Sequence, residues 1–427
     1  MSNSKFLQIH TLTSYPGTLL NRDDAGFAKR LPFGGSTRTR ISSQCLKYHW
    51  RNFKGEHALY NMDVPRSYRS RETFQRRVAK PLVDEGYPES LVLAGTFSLI
   101  DRLLSDKQSG KNEIKKLIRP DEGQNPWEQL ETSQITVFGE PEMRYLRQLL
   151  SEKLDEFKEK SPAFWEADGS VSDDAIEDAV KMMQEFSKKE LKNNLKALRT
   201  ASGLDAAMFG RMVTSDVLAR GDAAIHVAHA FTTHAEESES DYFSAVDELR
   251  RDEPEESGEL GAGHINSTEI ASGLFYQYVV IDLPLLVSNI EGVSRNEWDE
   301  ADKALSMETI KSMIHLIATV SPGAKLGSTA PYSYAQCMLV ESGSAQPRTL
   351  ANAFERAVPK NGQGVLANSY NVMGKYISEM DRMYDLQLER KLAAVGPTEL
   401  LLEPLEMDET VSVRNIADWA ARQAGGE

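Results

Sequence analysis

Apolar and polar residues alternate over residues 5–12, KFLQIHTL, where Phe6, Leu7, Ile9 and Leu12 surround Gln8 and His10. This pattern predicts a first strand, closed by the turn chemistry of Tyr15-Pro16-Gly17. "LNRDDAG" and "PFGGSTRTRIS" read as loop, with Gly34-Gly35 admitting backbone angles that other residues avoid. From Ser42 the period lengthens. Ser42 or Ser43 caps a helix whose apolar residues include Cys45, Leu46 and Trp50, and Lys47 and Arg51, four apart, fall on one of its faces. Residues 65–120 and 141–200 are helical in texture. Their charge runs, such as RSYRSRETFQRR and MRYLRQLLSEKLDEFKEK, read as solvated helix faces.

After Gly203 short apolar segments return. "AAIHVAHAFTTH" (223–234) and "SGLFYQYVVIDLPLL" (272–286) are the best strand candidates in the chain. Between them lies a long, acidic, Ser- and Gly-rich stretch, the composition of a functional arm or a disordered segment. Met307, Ile310, Met313, Ile314 and Ile317 recur at helical spacing within 299–320, a stripe that reads as core. Segments 349–358 and 366–392 suggest two more helices. Strands and a helix at the start thus belong with strands and helices in the second half, around a helical block of about 140 residues. The economical fold class is α+β with a large helical insertion.

Composition narrows the function. A chain of 427 residues predicts two or more domains. No apolar run approaches the roughly 20 residues needed to span a bilayer, the amino terminus lacks a signal-peptide pattern, and only Cys45 and Cys337 occur. The expectation is a protein of the reducing cytoplasm, with no disulfide framework, no cysteine zinc site and no membrane partner. The formal net charge of −15 argues against nucleic-acid binding by the whole surface. Yet residues 25–55 contain no Asp or Glu and carry Lys29, Arg30, Arg38, Arg40, Lys47, Arg51 and Lys54. Arg forks suit bidentate phosphate contacts, Lys acts as a point charge, and Ser36, Thr37, Thr39, Ser42, Ser43 and Gln44 add neutral donors. Arg38 and Arg40, flanking Thr39, share one side of an extended loop. A localised polyanion site is favoured over an Arg-rich loop pairing with distant acids.

Two other constellations are weaker. His226, His229 and His234 fall within nine residues, but neither strand nor helix spacing aligns all three, and ordinary hydrogen-bonded histidines are the better reading. Asp23-Asp24 invites a divalent-metal nuclease, though adjacent residues diverge and a cap or salt bridge is favoured. No phosphate-binding glycine loop or nucleophile motif occurs. No cofactor is predicted. The alternatives to a binding protein are a metal-dependent endoribonuclease using Asp23, Asp24 and the histidines, and an enzyme acting on a phosphorylated metabolite.

Taken in order, "LNRDDAG…FGGSTRTRISSQCLKYHWR", "GRMVTSDVLARGDAAIHVAHAFTTH", "DYFSAVDEL", "ASGLFYQY", "PGAK" (322–325) and "LANAFERAV" (350–358) resemble the CasC family, the repeated backbone subunit of the type I-E CRISPR Cascade complex. The likeness is collinear through most of the chain and weak over about 56–200. It implies a ferredoxin-like, RNA-recognition-type palm (1–58, 204–231 and 272–427), a helical fingers insertion (59–203) and a hairpin-like thumb arm (232–271). It also implies a non-catalytic protein that oligomerises with further copies of itself along crRNA, beside other Cascade subunits, and presents the guide to target DNA. Carried over by position, Arg22, Arg40, Lys47 and Arg51 hold the guide backbone, and Met212 and Phe243 pack around a displaced nucleotide. Lys29, Ser43, Gln44 and Lys325 extend the RNA-binding set. Arg38 matches the family pattern only as part of the basic run.

Overall fold

A computed structural model describes residues 4–105, 110–120, 123, 125–166, 171–197, 203–211, 221–246 and 262–425. The chain forms two compact units. One comprises Met1–Met62, Ile225–Pro284 and Lys303–Glu427, the other Asp63–Ala224 and Leu285–Asp302. Residues 204–211, 221–224 and 285–302 therefore fold with the helical unit, beyond the 59–203 expected of it.

The first unit opens with β1 (Phe6–Thr18), β2 (Arg30–Phe33), β3 (Ser36–Ile41) and helix α1 (Ser43–Asn52). The chain then builds the second unit. There β4 (Ser67–Ser70) pairs with β5 (Thr136–Gly139), and helices α2 (Glu89–Leu104), α3 (Glu140–Lys160) and α4 (Asp173–Gln184) enclose a core of their own. Helix α3 shows why the charge runs there are faces: Met143, Leu146, Leu150, Leu154 and Phe157 are buried at helical spacing, while the charges between them stay largely in water.

Returning to the first unit, the chain adds β6 (Ile225–Val227), β7 (Ala230–Thr232), β8 (Ser238–Val246), β9 (Ala262–Asp282), α5 (Ala304–Thr319), β10 (Cys337–Gly343), α6 (Val365–Tyr384), β11 (Glu389–Ala394) and α7 (Val413–Gly425). The antiparallel sheet runs β11-β10-β1-β9-β7-β3-β2, with β6 and β8 also paired to β9. Within it, β10-β1-β9-β7, with α1 following β1 and α5 following β9, has the β-α-β-β-α-β connection of a ferredoxin-like fold. The protein is thus α+β, built on an antiparallel sheet.

Both faces of this sheet are covered. On one, Leu12, Tyr276, Leu339 and Leu392 meet Tyr370, Met373 and Ile377 of α6. The residues of opposite parity, Leu7 and Ile9 on β1 and Met338 and Val340 on β10, are also buried. Helix α7 packs on β10, β11 and α5. The polar positions of the first strand, Gln8 and His10, are therefore not solvent-facing. His10 lies 3.3 Å from Glu341, which Arg348 and Arg390 also engage at 2.6 and 2.7 Å, and both arginines reach Asp381 on α6. Burial alone would raise the Glu341 carboxyl, but His10 and Arg348 outweigh it and hold it well below the usual carboxylate range. Through this network the C-terminal end of α6 and strand β11 are tied to the centre of the sheet.

Several short elements differ from expectation: β1 runs on through Tyr15-Pro16-Gly17 to Thr18, and the helix expected over 366–392 stops at Tyr384, with residues 389–392 in strand β11. Residues 30–33 and 36–41 are a β-hairpin, not loop: Phe33 pairs with Ser36 across Gly34-Gly35, whose φ angles of 57° and 76° are those of a two-residue hairpin turn. Gly34 also lets a second segment approach, since a Cβ there would lie 1.5 Å from the Glu355 carbonyl oxygen. Segment 349–358, expected as a helix, contains only a 3-10 turn, Ala351–Phe354. The acidic stretch contributes a two-stranded arm, β8 with the first half of β9, paired in one register from Ser238↔Ala271 to Ala245↔His264 and shifted by one residue at Val246↔Ala262. Among the described residues no helix is long and apolar enough to cross a membrane.

Candidate nucleic-acid interface

Helix α1 starts where the sequence placed its cap: the Ser42 hydroxyl accepts from the Cys45 N–H at 3.3 Å. Leu46 and Trp50 are buried and anchor it, each side chain contributing roughly 1.5–3 kcal/mol by burial. The outward positions are then Gln44, Lys47, Tyr48 and Arg51, of which Gln44 and Tyr48 are exposed and the two cations half-buried. Its first turn contains no acid, so the partial positive charge of the helix N-terminus is not neutralised from within.

The segment after β1 folds against this terminus. Leu19, Ala28 and Ala271, with Ala324 beside them, make a small core. The Asn21 side chain accepts from the Ser42 N–H at 2.9 Å, Lys29 N–H donates to the Asn21 carbonyl at 2.9 Å, and Arg40 N–H donates to the Lys29 carbonyl at 2.8 Å. Arg22 bridges to Ala28 across the same turn. These bonds bring Arg22, Lys29, Arg40, Ser43 and Gln44 to one corner, with Lys47 and Arg51 a turn further along α1. Arg40 spends its Nε on the Arg30 carbonyl at 3.1 Å and leans toward His229. Arg30 is ion-paired with Glu236 and Glu269, and Glu269 also accepts from the Ala28 N–H, which fixes the turn. Lys325 is exposed; its backbone follows Ala324, whose N–H donates to the Leu19 carbonyl at 2.9 Å, and its ammonium donates to Thr268.

Arg38 does not belong to this surface. It is fully buried, and its guanidinium donates to the carbonyls of Thr232, Thr233, Phe354 and Glu355 at 2.8–3.0 Å. Burial pulls its pKa down, and the four carbonyl dipoles stand in for water around the charge. It clamps β7 to the 354–355 segment, so the expectation that Arg38 binds RNA is withdrawn. Met212 lies outside the described residues. Phe243 sits in β8 opposite Asn266, and its side chain is outside the description.

His229 joins the corner instead. Its Nδ1 accepts from the backbone N–H of Ser43, at the α1 N-terminus, and from Arg40, both at 3.3 Å. Burial, Arg40 and Lys29 lower its pKa, so the neutral ring with its proton on Nε2 is the form that fits these donors. Spacing gave no hint of this, because the partners lie 186 and 189 residues away in the chain. The other two histidines are separate: His226 is exposed on β6, and buried His234 bonds the Ala235 carbonyl and the Leu274 N–H. Asp23 uses its carboxylate as a turn cap, accepting from the N–H groups of Ala25 and Phe27 at 3.0 and 2.9 Å. Among the described residues no three His, Cys, Asp or Glu side chains converge as a metal site.

The family model described as CT1975-like protein matches residues 7–419. The chain belongs to the CT1975-like family. Among solved structures, this CT1975-like chain is similar to a chain of a complex described as "CRISPR RNA-guided surveillance complex, pre-nicking". The TM-score is 0.72 and the identity 24%, covering 98% of this chain and 100% of that one. A chain from a structure described as "CRISPR RNA-guided surveillance complex" aligns with TM-score 0.63 and 20% identity, over 97% and 99% of the two chains. At these identities the likeness establishes the shared fold. No curated protein matches the sequence.

Proposed function

We propose that this CT1975-like protein is a non-catalytic backbone subunit of a Cascade-type CRISPR complex, of the CasC kind found in type I-E systems. Copies of it line up along the crRNA beside other Cascade subunits. The observation that carries this reading is the corner where Arg22, Lys29 and Arg40 surround the acid-free N-terminus of α1, with Lys47 and Arg51 following on one helix face. Cations and backbone N–H groups at a helix start hold phosphate without reading bases. The guide's bases then remain available to pair with target DNA, while protein supplies shape and charge. An acidic body around a basic corner restricts nucleic acid to that corner. The paired strands β8 and β9 supply the arm that, in this role, reaches a neighbouring copy and kinks the guide, with Phe243 and Met212 against the displaced nucleotide. Full-length similarity to chains of RNA-guided complexes supports the assignment.

The test of this role is what accompanies the protein when it is expressed with the rest of its operon and purified. A single small RNA species of fixed length is expected. No RNA, or RNA of random length, contradicts the role.

Within the corner, His229 positions Arg40. Asparagine can present an acceptor near the position of Nδ1, whereas alanine cannot. His229→Ala is expected to weaken single-stranded RNA binding about fivefold, the scale of one ordinary net hydrogen bond, and His229→Asn to restore most of it. Equal affinities for all three proteins would remove His229 from the site.

A further inference from the structure

The loop between α5 and β10 lies outside the core, yet it is held in one shape. The Ser321 hydroxyl donates to the Ser333 carbonyl and accepts from its N–H, both at 2.9 Å. Ala335 N–H donates to the Ala318 carbonyl at 2.8 Å, and Pro331 is buried. Lys325 and Ala330, neither of them glycine, have left-handed backbone with φ of 57° and 39°. Non-glycine residues adopt that conformation when their surroundings impose it, and such positions cluster at functional sites. On this stiff frame Tyr332 and Tyr334 are 74% and 71% exposed, with Leu326 at 52%. Ser333 between them is half-buried, whereas the rings on either side of it are exposed.

Charge indicates what covers these rings. No Asp or Glu occurs from residue 309 to residue 340, the loop included, in a chain with 64 acids. Lys325 lies on the same loop. The Gly323 N–H reaches Nε2 of His49 on α1 at 3.4 Å, which sets the loop beside the helix that carries Lys47 and Arg51. Exposed rings beside Lys325, on a segment that carries no carboxylate of its own, suit an unpaired nucleobase on a polyanionic strand.

We propose that Tyr332 and Tyr334 form a stacking platform for bases of the single-stranded RNA whose phosphates the α1 corner holds, an inference that rests on the function proposed above. Every base has a π-face, so the platform adds affinity without reading sequence. A loop already fixed in shape spends little ordering entropy on binding.

The test compares full-length protein on a mixed-sequence RNA strand and on a strand of equal length made of abasic ribose units. The wild type is expected to bind the natural strand about tenfold or more tighter. In Tyr332→Ser/Tyr334→Ser the preference for the natural strand should shrink about fivefold or more, any remainder being what Phe243 and Met212 supply, while Tyr332→Phe/Tyr334→Phe should behave as wild type. Equal binding of both strands by the wild type, with salt dependence intact, overturns the platform and leaves the phosphate grip standing. Loss of all salt-dependent binding overturns the grip and the platform together. If the serine variant keeps its preference for bases but no longer self-associates in sedimentation, the rings serve a contact between copies and the proposal is wrong.

Discussion

Lys47→Glu/Arg51→Glu is expected to bind single-stranded RNA one to two orders of magnitude more weakly at physiological salt, with its melting temperature nearly unchanged. Both side chains lie on the outward face of α1, whose anchoring comes from Leu46 and Trp50. An ion pair at a partly exposed position is worth about 0–1 kcal/mol, so losing one at each of the two positions costs the fold about 2 kcal/mol at most. Losing two phosphate contacts removes about 1.4 from the slope of log affinity against log salt, which is roughly tenfold near 0.15 M. Repulsion from the introduced carboxylates adds to that. An unchanged affinity at an intact fold would place the RNA elsewhere on the molecule.

The opposite outcome is expected two turns of sequence earlier, at Arg38. Arg38→Ala removes the guanidinium from the carbonyls of Thr232, Phe354 and Glu355, leaves Thr233 only the Val358 N–H, and opens a cavity between β7 and the 354–355 segment. At roughly 1–3 kcal/mol for each buried group left unsatisfied, the loss reaches about 4 kcal/mol or more. That corresponds to a fall of roughly 10 °C in melting temperature for a unit of this size. Arg38→Lys keeps the charge but cannot reach both carbonyl pairs with a planar fork, so it should fall between. Measured below the transition, RNA affinity should be unchanged. A variant that melts normally and binds RNA poorly would return Arg38 to the binding surface.

This contrast shows how far the residues could be read before the fold was known. Charge alone marked 25–55 as a polyanion site, and the capping serine with Leu46 and Trp50 placed Lys47 and Arg51 on one helix face. Charge alone could not separate Arg38 from Arg40. What separates them is the Phe354–Glu355 segment, more than 310 residues away, closing over one and not the other. The same distance hid His229, whose spacing to its fellow histidines was uninformative and whose partners are set by the pairing of β3 with β7. The β2–β3 hairpin is not legible in the sequence because STRTRI lacks an apolar alternation, although the paired glycines match a tight hairpin turn. Gln8 and His10 read as the polar side of a half-exposed strand. They are buried because the carboxylates of Glu341 and Asp381, with two arginines, extend a polar layer beneath α6. The long stripe from Met307 to Ile317, by contrast, carried its own answer: a local 3.6-residue period needs no distant partner to be recognised.

The central claim is that the α1 corner grips phosphates without reading bases. The measurement that bears on it most directly is the affinity of the purified chain for several single-stranded RNAs of unrelated sequence, each titrated across salt. The account predicts nearly equal affinities, falling steeply as salt rises, with a slope about 1.4 shallower in Lys47→Glu/Arg51→Glu. Affinities that differ strongly with sequence, or a slope that the double variant leaves untouched, would contradict it.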